Sequence, residues 1–170
     1  MATLTPDEKT TLIMAYTHDT MVRGEAVSRQ SVRVSIWLRT DGAPHYFRLL
    51  NAQQLFFGAG AVKSSTHAEI YVPVATVIAF HMVPPAADPM DYEEGEKNRA
   101  IQQVTVSVGS FIFKGSLRFS AQSGLQASLE MVHGWLSMYD TEITNPSLPQ
   151  MPAITVPMLL VNPAQVAFAL

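Results

Sequence analysis

The chain reads as a mainly β protein made of two tandem β-rich repeats, and three observations lead there. Short runs alternate apolar with polar residues, as where Val104, Val106 and Val108 alternate with Thr105 and Ser107. Turn-forming residues punctuate these runs, with 9 glycines and 11 prolines in 170 residues. Blocks of like polarity also return about 90 residues later in unchanged order. Each repeat is expected to hold about four to five strands and at most one short helix, so an α+β assignment stays open. Duplicated domains often descend from homodimers. The expected packing is therefore a pseudo-twofold barrel or sandwich with one shared core. The repeats are 1–83 and 100–170, joined by a connector at 84–99.

The elements follow in order. Thr10–Ala26 reads as strand, turn at His18-Asp19, strand, and Ile101–Phe119 is its counterpart. Met21-Val22-Arg23-Gly24 lies over Ile112-Phe113-Lys114-Gly115. A glycine at the same place in both predicts a bulge or a close backbone approach. Ser31–Thr40 alternates like a strand, whereas its counterpart Gly124–Val132 spaces Leu125, Leu129 and Val132 as a helix does. Ser123 and Ser31 are the candidate caps. Whether Ser31–Thr40 is strand or helix stays open.

Strands follow at Tyr46–Phe56 and Trp135–Thr144, with Tyr46–Asn51 lying over Trp135–Asp140. Gly58–Ala68 and Asn145–Pro157 read as matching loops, the second carrying four prolines that cannot donate to a ladder. Ile70–Pro73 falls near Met158–Val161. Finally Ile78-Ala79-Phe80 lies over Val166-Ala167-Phe168, and Pro157–Leu170 reads as a buried strand pair broken at Asn162-Pro163. Phe168 and Trp135 are expected in the core. The connector Pro84–Asn98 holds three prolines and the acids Asp88, Asp91, Glu93, Glu94 and Glu96, the composition of a solvated link.

The second half, from FKGSLRF to LLVNPAQVAFAL, resembles a small β-rich bacterial domain family of unknown function. The likeness lies in a basic-x-Gly or similar strand end, a leucine-containing segment, an aromatic-or-Leu strand with a polar D/N-x-x-I finish, and a closing V-N-x-x-x-V/I strand. Gly115, Leu125, Leu129, Leu136, Asp140, Ile143, Val161, Asn162 and Val166 fill those places. The resemblance spans about 55 residues within 110–170, and the first half departs from it with Val74 where Asn162 stands. It implies a β-rich fold and no activity.

Composition narrows the function classes. With no cysteine, thiol catalysis, disulfides and Cys-ligated metal centres are excluded. His18, His45, His67, His81 and His133 show no metal-ligand spacing, and His81 beside Phe80 reads as a tucked core or edge histidine. No nucleophile elbow occurs, and Gly58–Ala61 lacks the spacing of a phosphate-binding loop. Asp140 and Glu142 on one strand face read as solvated.

A net charge of −3 disfavours nucleic acid. Even so, Arg33, Trp37, Arg39, Tyr46 and Arg48 interleave bases with aromatics and form the candidate binding surface. Only 15% of residues are charged and 48% are hydrophobic, which leaves apolar surface for a partner. The expectation is a non-enzymatic interaction or structural module without cofactor, with a protein partner or self-association. The alternative is small-ligand or single-strand nucleic-acid binding in the groove between the repeats. No apolar run is long enough to span a membrane and no basic leader opens the chain, so a cytoplasmic location is expected.

Overall fold

Alternation becomes strand wherever turn residues bound it. In the computed structural model, which describes residues 4–40, 42–58 and 61–170, Glu8–Tyr16 (β1) and Thr20–Arg29 (β2) form a hairpin. Its turn is closed by hydroxyls, with Thr20 N donating to Thr17 Oγ1 at 3.0 Å. One helical turn (α1, Val34–Trp37) leads to β3 (Tyr46–Gly58), β4 (Ala61–Pro73), a 3-10 turn at Val74–Thr76 and β5 (Ala79–Met82). After the connector come β6 (Arg99–Val108), β7 (Phe111–Ser120), α2 (Gly124–Met131), β8 (Leu136–Thr144) and β9 (Ile154–Val161). A 3-10 turn at Pro163–Gln165 and β10 (Phe168–Ala169) complete the order. The succession of element types in the first half thus recurs in the second.

The mainly β class is as the sequence predicts. All ten strands form one antiparallel sheet in the order β10-β6-β7-β8-β9-β5-β1-β2-β3-β4. The sheet is open. A twofold pair would need a β4–β10 seam to match the β5–β9 seam, and only β5–β9 is paired.

Both glycine expectations hold. Gly24 faces Asn51 and Ala52 where the β2–β3 register shifts, and Gly115 faces Asp140 and Thr141 at the same shift in β7–β8. Asn51 and Asp140 carry the bulge at φ of 49° and 47°, conformations that Asn and Asp tolerate best among residues with a Cβ. Pro157 lies across from Asp140, at a place where the β8–β9 pairing is interrupted, which is why a proline is tolerated within β9.

Other expectations change. The Gly58–Ala68 loop is instead the last residue of β3 and, from Ala61, the start of β4, with Ala59 and Gly60 outside the described residues. The Asn145–Pro157 loop ends earlier, because β9 begins at Ile154. The hairpin registers place Ile70 with Leu159 and Pro73, not Val74, with Asn162. Arg33, not Ser31, precedes α1, and Ser123 precedes α2 without a capping bond. A four-residue helix makes too few internal bonds to stand without packing. Val34 and Leu38 supply that packing to the first core.

There are two cores. One gathers Ile13, Ala15, Val22, Phe47, Leu49 and Phe80 in the first half, with Leu160 from β9. The other gathers Val106, Phe111, Phe113, Met138, Ile143 and Leu159 in the second half, with Met14, Tyr16, Ile78 and Ala79 from the first. Successive residues of β1 and β5 point alternately into the two cores, so these strands are buried on both faces. Phe168 and Trp135 are only half-buried, because β10 is an edge strand and Trp135 sits at the entry to β8.

Candidate interaction surface

The five candidate residues fall into three places. Arg33 precedes α1 and Trp37 ends it, and with Arg29 and Thr40 they line an open groove of about 610 Å³. The Trp37 indole N–H donates to Gly42 O at 2.8 Å, which fixes the ring at the groove wall.

Arg39 turns away toward the connector. It pairs with Asp91 and donates to Ser137 Oγ on β8. Asp91 also accepts from Tyr139 OH at 2.6 Å and from Ser137 Oγ at 2.7 Å. Partial burial opposes ionisation of Asp91, yet the bonds from Tyr139, Ser137 and Arg39 outweigh it and hold the carboxyl below its ordinary value. Burial, and then the bond to Asp91, push the Tyr139 phenol well above its ordinary value. Tyr92 stacks edge-on to Tyr139 with centroids 5.0 Å apart, and the Arg118 guanidinium lies 3.7 Å over the Tyr92 ring. Ser35 of α1 bonds Asp88. Glu96 lies 3.8 Å from the same Arg118, so the connector expected to be solvated is bound to both halves through three of its acids.

Tyr46 and Arg48 share the outward face of β3. Arg48 lies opposite Tyr71 of β4 and donates from Nε to Glu69 Oε1 at 2.7 Å, with Glu8 3.6 Å away. Tyr71 OH donates to the same Glu69 oxygen at 2.8 Å. The hydrogen bond from Arg48, then that from Tyr71, hold Glu69 below its ordinary pKa, and donation to Glu69 raises the Tyr71 phenol. Tyr46 and Tyr71 are 54% and 58% exposed, so this strip is aromatic and wet with its charges internally paired. Arg39 and Arg48 are thus occupied by carboxylates, which leaves Arg33 as the candidate base without an ion pair among the described residues.

Sequence reasoning missed Asp91, Tyr139, Glu69 and Tyr71. The acids of the connector were visible, but their partners come from other elements. Beside this strip runs the outer side of β4, whose 13 residues pair only with β3 among the described residues.

His81 is buried as expected, but not in apolar surroundings alone. Its Nδ1 lies 2.7 Å from Met82 O and its Nε2 lies 3.0 Å from Tyr16 OH. A carbonyl only accepts, so Nδ1 carries the proton and Tyr16 donates to Nε2. Burial holds this imidazole below its ordinary pKa, against the bond to Met82. The seam where β5, β9 and the connector meet leaves a cavity of about 10 Å³, room for about one water. Among the described residues no three His, Cys, Asp or Glu side chains cluster around a common point for a metal, and no helix is long and apolar enough to cross a membrane. Comparison with protein-family models, with curated proteins and with solved structures finds no match.

Proposed function

We propose that the chain is a non-catalytic interaction module, built from two copies of one β-rich unit, that engages proteins through the free edge of β4 and the aromatic strip beside it. The observation that carries this is the edge itself. The 13 residues of β4 present one side that is unpaired among the described residues, with Tyr71 on the strand and Tyr46 on its neighbour exposed. An unpaired strand offers a row of N–H and C=O groups, and partners commonly add a strand to such rows. Tyrosines add contact area at low entropic cost. The recurring element order and the matched bulges at Gly24 and Gly115 support the duplication. The test is affinity capture with the tagged chain, comparing wild type with Tyr46→Ala/Tyr71→Ala. Loss of stoichiometric partners from the double variant is expected, and an unchanged set would overturn the reading.

A second reading is anion or single-strand binding at α1, favoured by the groove that Arg29, Arg33 and Trp37 line. The seam at β5 and β9 is too small for such a ligand, whereas a groove of about 520 Å³ between the halves, lined by Phe57 and Val62 on one side and Ser110 and Leu148 on the other, has the room for one. Fluorescence anisotropy with a labelled oligonucleotide at low salt checks it. Binding lost in Arg33→Ala/Trp37→Ala would support this reading.

A further inference from the structure

Resting on the reading that β4 is a contact edge, we propose that its occupant is a second copy of the chain, whose β10 adds to β4 head to tail, as β5 adds to β9 within one copy.

The internal seam sets the pattern. Ala79 and Phe80 of β5 lie opposite Val161 and Leu160 of β9, and the Asn162 N–H donates to Ile78 O at 2.7 Å. The registers carry this pattern to the two free edges. Gln53 pairs with Thr66 as Glu142 pairs with Thr155, so Tyr71 and Val72 occupy the places of Leu160 and Val161. Phe168 pairs with Val106 as Phe80 pairs with Ala15, so Val166-Ala167-Phe168 occupies the place of Ile78-Ala79-Phe80. One edge of the sheet is therefore of the β9 kind and the other of the β5 kind. Exposure reports which seam is made: Leu160 and Phe80 are 1% and 2% exposed, whereas Tyr71 is 58% exposed. Within one molecule these complementary edges touch through the Gln165 side chain, whose Nε2 donates to Ala75 O at 3.0 Å, but no ladder pairs them among the described residues, and edges of two kinds make a heterologous contact. Such contacts propagate into rings or rows.

The groove at β4 agrees. In the second half, Tyr16 fills the mouth of the core, its ring centroid 5.0 and 5.1 Å from Phe111 and Phe113. In the first half the matching mouth is open, a groove of about 650 Å³ walled by Thr20, Val22, Gln54, Ile70 and Val72, with the chain's own Gln165 at its rim. Thr105 and Ser107 of β6 stand at the places of Met14 and Tyr16. A second copy thus brings hydroxyls to a mouth edged by Thr20 and Gln54. Pro73, in the place of Asn162, has no N–H to repeat that bond. The contact between copies is therefore weaker and more reversible than the contact within one.

The absence of cysteine makes the test clean. Tyr71→Cys and Phe168→Cys chains, mixed and oxidised, should give a disulfide-linked heterodimer that neither variant forms alone. Wild type should show mass rising with concentration in sedimentation equilibrium across the micromolar range. Tyr71→Lys should raise the midpoint about tenfold or more, since a charge blunts an edge. A monomer at every concentration overturns the proposal, and so does an absent cross-link between two variants that both keep wild-type circular dichroism. A monomer whose partner capture is still lost in Tyr46→Ala/Tyr71→Ala overturns the second copy alone. A monomer whose capture is unchanged overturns both readings.

Discussion

At the residue scale, the two bulge glycines are not equal. A Cβ on Gly115 would stand 2.4 Å from Thr141 Oγ1 and 2.8 Å from Tyr139 O, whereas one on Gly24 would meet Ala52 Cβ at 3.1 Å. A backbone carbonyl in a bulge cannot retreat as a β-carbon contact can. Gly115→Ala should lose about 2–3 kcal/mol and Gly24→Ala about 1 kcal/mol or less, read by urea unfolding. His81 makes a pH prediction. Its folded pKa lies below the unfolded value, so the unfolded chain takes up the proton first. Stability is full above the ordinary histidine range, near ~6.5, and falls as pH drops through it, by at most about 1.4 kcal/mol per pH unit. His81→Phe should flatten that slope between neutral and mildly acid pH.

At the scale of elements, the connector works as a strap. Asp91 is held below its ordinary pKa, so its contribution is complete above the unfolded carboxylate range and is lost as pH falls through the folded value. Asp91→Asn should cost about 1–2 kcal/mol at neutral pH, the worth of hydrogen bonds to a partly exposed charge, and should remove that acid limb. Core position also decides cost. Phe113 is 0% exposed and Phe113→Ala should lose about 3–5 kcal/mol, while half-buried Phe168→Ala should lose clearly less in the same melts. The Ile-Ala-Phe and Val-Ala-Phe endings, the paired glycines and the hairpins were legible, since each rests on local alternation or a missing Cβ. β4 was not legible. Its Lys63-Ser64-Ser65-Thr66-His67 run is mostly exposed and lacks apolar alternation, so it imitates a loop. The candidate surface divided for a related reason. Arg39 follows Asp91 and Arg48 follows Glu69, and nothing in the spacing of the arginines announces either partner.

At the scale of the whole molecule, the second core is completed by Met14, Tyr16, Ile78 and Ala79 from the first half. A fragment covering 99–170 should therefore bind a hydrophobic dye and lack a sharp melting transition. The full chain should unfold in one step, with calorimetric and van't Hoff enthalpies in agreement. The same borrowing sets a clock on synthesis. β5 leaves the ribosome long before β9, its partner. At ~5–20 residues per second, the roughly 80 residues between Met82 and Val161 correspond to ~4–16 s. Until β9 emerges, Ile78, Ala79 and Phe80 lack the Leu160–Asn162 segment that covers them in the finished fold. Slower translation between these strands should therefore lengthen the exposure of that apolar surface and raise the aggregated fraction, read by sedimentation of the product of cell-free synthesis at two elongation rates.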